Sequence, residues 1–144
     1  MATPEVSSDE GARWHWSEGM KFALEGIKLL FLLNGASAVA ILTFIGNMKV
    51  GSHCLVVAMA VFAVGAAMPV VSMVYAYLTQ LHYGNASFSQ WVDRRSYKDA
   101  MSNHGTTYLF IGLGIAFFVF GIILAAIGFW HMPHPPTLIM QHTW

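Results

Sequence analysis

The sequence predicts an all-α integral membrane protein with three transmembrane helices. Three observations carry this. Apolar residues make up 56% of the 144 positions and charged ones only 10%, against roughly 25% charged in a soluble domain. Three apolar runs, 29–48, 54–81 and 106–130, contain no Asp, Glu, Lys or Arg, and each reaches the ~20 residues needed to cross hydrocarbon about 30 Å thick. The basic residues, finally, are distributed so that alternate loops differ in charge.

Residues 1–28 read as a cytoplasmic segment ahead of the first run. Three acids precede the first base and there is no apolar core, so this is not a cleavable signal. From Ser17 onward Glu18, Lys21, Glu25 and Lys28 recur at helical spacing, opposite Met20, Phe22, Leu24 and Ile27. The spacing predicts an amphipathic helix leading directly into the first span.

The three runs at 29–130 must be helical, because a lone segment in hydrocarbon satisfies its backbone only as a helix. The second holds Pro69, which lacks a donor for the preceding turn and predicts a tilt or kink. Between the second and third runs, the loop 82–105 contains a capping pattern from Ser87 to Gln90. Phe88, Trp91, Val92 and Arg95 share one side, predicting a short interfacial helix over 87–101. Pro133, Pro135 and Pro136 end the third helix and open a tail over 131–144.

Arg13, Lys21 and Lys28 precede the first run, and Arg94, Arg95 and Lys98 lie between the second and third. Lys49 alone lies elsewhere. Retention of Lys and Arg inside places the N-terminus in the cytoplasm and the C-terminus outside. Trp14, Trp16, Tyr83, Trp91 and Tyr97 fall near the expected inner boundary and Trp130 and Trp144 near the outer one, where amphipathic rings prefer to sit.

Apolar burial does not draw helices together in lipid, so small and polar residues mark the packing faces. Gly114, Gly121 and Gly128 recur every seven residues, with Ala125 on the same stripe. Gly65, Pro69, Ser72, Ala76 and Thr79 share a face of the second run, and Asn34, Gly35, Ala36, Ser37 and Ala38 cluster in the first. These faces can serve packing within the chain or assembly with a second copy or another subunit. Alternatively, Asn34, Ser37 and the face of the second run line a pore formed by several copies.

A metal- or haem-binding electron-transfer subunit is a third reading. His53, Cys54, His131, Met132 and His134 collect on the expected outer side with Met48, Met140 and His142, a ligand set that suits copper. His53 and His82 are too far apart for one haem b, roughly 43 Å along a straight helix. No ligand motif is present, and the expectation is no cofactor. A net charge of zero leaves no basic patch for nucleic acid. Nucleophile arrangements, phosphate-binding loops and paired carboxylates are missing, so no enzyme is expected.

The run 31–46, from Phe31-Leu32-Leu33-Asn34-Gly35-Ala36-Ser37-Ala38 to Thr43-Phe44-Ile45-Gly46 and preceded by Glu25-Gly26-Ile27-Lys28, resembles the opening span of an uncharacterised family of small bacterial three-span inner-membrane proteins. The resemblance implies the bacterial inner membrane and carries over no activity, ligand or catalytic residue.

Overall fold

The computed structural model describes residues 8–48, 52–88 and 94–132, all of them in or beside three α-helices. These are α1 (Ser8–Met48), α2 (His53–Phe88) and α3 (Arg94–Trp130), of 41, 36 and 37 residues. Each is long and apolar enough to cross a membrane. At 1.5 Å per residue they reach about 61, 54 and 55 Å, so upright helices extend well past a hydrocarbon layer of about 30 Å. Most of each apolar window lies on the outside of the bundle, where Leu29, Leu32, Val39, Leu42, Ile115 and Ile123 are exposed. Such a surface suits lipid as its solvent.

Residues 17–28 and the run 29–48 lie in one uninterrupted helix, α1. Two ion pairs, each between residues one turn apart, lie along its first half: Lys21 with Glu18 at 2.5 Å and Lys28 with Glu25 at 2.7 Å. Ser52 caps α2: its Oγ accepts from the Cys54 N–H at 3.3 Å and its carbonyl from Leu55 at 3.0 Å, satisfying donors that a helix start leaves open. The helix continues through Pro69 to Phe88.

The short interfacial helix expected over 87–101 is not seen as a separate element. Residues 87–88 are the last of α2, residues 94–101 are the first turns of α3, and 89–93 lie outside the described residues. The reason is tertiary. Ala100 is fully buried and Tyr97 meets Tyr83 edge-on at 5.9 Å, so these turns pack on α2. Ending a helix there would also strand backbone groups that the continuous helix pairs. Of the tail at 131–144 only His131 and Met132 are described.

α2 and α3 run antiparallel and pack along their length, while α1 lies mainly against α2. The core towards the His53 end of α2 consists of Ile41, Leu55, Ala58 and Phe62, with Phe44, Phe118, Leu124 and Ala125 packed against it.

Candidate functional site: a polar three-helix junction and a cleft

The seven-residue glycine spacing in α3 brings three positions to the face that meets the other helices. A Cβ on Gly114 would lie 2.9 Å from Leu30 Cδ2 of α1. On Gly121 it would lie 2.8 Å from the Phe62 ring, and on Gly128 2.9 Å from the Leu55 side chain. Each glycine thus accommodates a large apolar side chain of the same molecule. Ala125 packs against the same core.

Gly128 is the tightest in backbone terms, because its added Cβ would also come 3.1 Å from the Leu55 amide nitrogen. Gly128→Ala is therefore expected to lower stability by about 1–3 kcal/mol through overpacking. Gly112→Ala, where a Cβ meets nothing within 4 Å, is expected to leave it unchanged or raise it by at most about 1 kcal/mol through helix propensity. Circular dichroism during SDS titration of detergent-solubilised protein reads both.

Asn34 sits where the three helices meet and is 0% exposed. Its Nδ2 donates to the Leu30 carbonyl at 3.0 Å and to the Gly114 carbonyl at 3.4 Å, so one amide bridges α1 and α3. Its Oδ1 lies against Gly65 of α2, and only the missing Cβ of that glycine makes room. Asn34, Gly65 and Gly114 are thus brought together. Oδ1 of Asn34 and Oγ of Ser72, also 0% exposed, have no hydrogen-bond partner among the described residues. Pro69, buried nearby, has no N–H for the Gly65 carbonyl, so this part of the junction is rich in acceptors and poor in donors.

Gly35 and Ser37 do not join the junction. A Cβ on Gly35 meets nothing within 4 Å, and Ser37 is half-buried. Because Asn34 and Ser72 are enclosed within one bundle, neither side chain faces an open lumen of a single chain.

The outer candidates scatter. His53 and His131 are exposed at one end of the bundle, Cys54 is half-buried, Met132 packs against the apolar core, and His134 lies outside the described residues. Among the described residues no group of three His, Cys, Asp or Glu could hold a metal.

At the other end all three helices line an open cleft of about 340 Å³ that residue patterns alone did not reveal. Ile27, Met73 and Ile111 close its deep end, and Gln80, Tyr83 and His104 stand at the shallow one. Thr79 and Thr107, both buried, face it from α2 and α3 with hydroxyls that donate to the carbonyls one turn back, Tyr75 at 2.8 Å and Asn103 at 2.9 Å. The Gln80 Nε2 donates to the Met20 sulfur at 3.8 Å, and the His104 ring stacks on Tyr108 with centroids 4.9 Å apart.

No protein-family model, no curated protein and no solved structure matches the chain.

Proposed function

We propose that the chain is a non-enzymatic multi-pass protein of the bacterial inner membrane, with its N-terminus in the cytoplasm, that works by assembling through its outer helix faces. The partners are its own copies or a larger membrane complex in which it is an accessory subunit. One observation carries this reading. After Gly65, Gly114, Gly121 and Gly128 have been filled from within the chain, α1 still presents a second line of small and polar side chains. Ala36, Ala40, Thr43 and Asn47 follow one another at helical spacing, and all are exposed. In lipid such a line permits the close approach that large apolar side chains prevent.

The pairing of polar atoms inside the bundle supports the same division of labour, since the enclosed junction at Asn34 holds the monomer and leaves the α1 line for a partner. Light scattering of the detergent-solubilised protein is expected to give a defined oligomer, or purification from native membranes a stoichiometric partner. Ala36→Leu together with Ala40→Leu is expected to abolish either. A monomer that brings no partner would defeat the proposal.

The proposed orientation rests on Lys21, Lys28, Arg95 and Lys98, which the antiparallel helices gather towards one end of the bundle. In a Cys54→Ala background, His131→Cys is expected to react with an impermeant maleimide in intact cells and Ser17→Cys only after lysis. The opposite pattern would invert the topology.

A further inference from the structure

We infer that the cleft between the three helices binds an uncharged amphiphile with a flat, hydrogen-bond-accepting ring at the head of an apolar tail, the chemistry of isoprenoid quinones. This inference does not depend on the assembly proposed above, because the cleft lies on another part of the molecule.

Its volume, about 340 Å³, falls in the range of small-molecule sites, roughly 300–1,000 Å³. Depth orients the occupant. From His53 to Met73 is twenty residues of α2, or about 30 Å along the helix axis, close to the whole hydrocarbon thickness. With His53 at one hydrocarbon boundary, the deep end at Ile27 and Met73 falls near the opposite one, and the shallow end at Gln80 and His104 reaches on towards the polar layer. A second groove of about 350 Å³ shares Ile27 and Met73 and continues along the seam of α1 and α2 past Phe31, Leu32, Pro69 and Val70. Its side chains are apolar apart from Lys28 at its rim, which is paired with Glu25. A head in the cleft with its tail in this groove matches polarity to depth.

The lining decides the kind of head. Among the described residues no Asp, Glu, Lys or Arg lines the cleft, so the lining itself suits an uncharged head. Trp16, Tyr77 and Tyr108 surround it and His104 extends the Tyr108 face, an arrangement of ring surfaces that favours a flat head through offset stacking. The Gln80 amide, held among the described residues by a thioether sulfur, exchanges a weak acceptor for a strong one when a carbonyl oxygen arrives.

Decylubiquinone titrated into the detergent-solubilised full chain tests this by tryptophan fluorescence. Saturable quenching is expected, most of it lost in Trp16→Phe. Gln80→Leu is expected to weaken apparent affinity by about three- to tenfold, as loss of one neutral hydrogen bond does, and His104→Leu by a similar factor through loss of its ring face beside Tyr108. Ala23→Phe, which fills the cleft from α1, is expected to abolish saturation with helical content unchanged; should it fail to fold, the Gln80 and His104 variants decide. Quenching linear in probe, or saturation unaffected by these substitutions, would overturn the inference. So would equal competition by n-decanol, which would make the cleft a slot for bare hydrocarbon, or by dioleoylphosphatidylglycerol, which would make it a phospholipid site.

Discussion

Gly65→Ala is expected to destabilise the bundle by about 3 kcal/mol, at the upper end of ordinary overpacking. An ideal Cβ there would fall on the Asn34 carboxamide, 2.9 Å from Cγ and closer still to Oδ1, and 3.0 Å from Phe117 Cβ. Neither neighbour is the free end of a flexible chain. Asn34 is tied by its Nδ2 to the Leu30 and Gly114 carbonyls, and the Phe117 contact is at the root of its side chain. A methyl group therefore either moves α2 away from both other helices or breaks the amide bridge, itself worth about 0.6–1.7 kcal/mol in a membrane. A double-mutant cycle separates the two. Asn34→Ala should relieve part of the cost, with a coupling of about 1–2 kcal/mol between contacting sites. Gly35→Ala, where a Cβ meets nothing, is the matched control and should be neutral. If Gly65→Ala proved as mild as that control in SDS titrations, the close approach of the three helices at this level would be wrong.

The three helices are legible in the sequence because lipid imposes a coarse rule: a long stretch without charge must be helical and must face hydrocarbon. Their ends are less legible for the same reason. Hydropathy ends the second run at Leu81, whereas α2 continues to Phe88, and it starts the third at Thr106, whereas α3 begins at Arg94. What extends them is contact between residues distant in sequence, such as Tyr83 with Tyr97. A helix that has left hydrocarbon need not be apolar to continue if its neighbour accompanies it. Of the pattern at Phe88, Trp91, Val92 and Arg95, Trp91 and Val92 lie outside the described residues, and from Arg94 onward the chain is continuous with α3.

The packing residues divide similarly. The spacing of Gly114, Gly121 and Gly128 identifies a face, but spacing carries no information about what fills it, and Leu30, Phe62 and Leu55 come from two other helices. Asn34 is conspicuous in sequence as an amide in an apolar run, while its opposition to Gly65 is fixed only by the antiparallel register. The cleft is further from view. Thr79 and Thr107 are ordinary helix residues, and His104 reads as a boundary residue, until α2 and α3 align beside the first half of α1. Small polar residues at matching depth on two helices were the one available signal.

Asn34→Asp is expected to cost about 3–4 kcal/mol at pH 7, although it changes one heavy atom. In the native side chain Nδ2 points at two backbone carbonyl oxygens, of Leu30 at 3.0 Å and Gly114 at 3.4 Å. An ionised carboxylate can only accept, so the substitution sets oxygen against oxygen at both contacts and leaves a charge in a fully enclosed site. Placing Asp mid-helix in a membrane costs about 2.5–3.5 kcal/mol on insertion scales. The alternative is to take up a proton, which from an ordinary carboxyl value near 4 costs about 4 kcal/mol at pH 7. Either route gives a similar loss. Asn34→Leu, similar in bulk and apolar, should change stability by less than about 1 kcal/mol. It forfeits the amide bridge but also removes Oδ1, a buried acceptor with no partner among the described residues, whose burial costs about 1–3 kcal/mol. The order Leu above Asp follows from the direction of the hydrogen bond and the enclosure of the site, and the reverse order in SDS titrations would mean that the side chain at position 34 is not sealed from water.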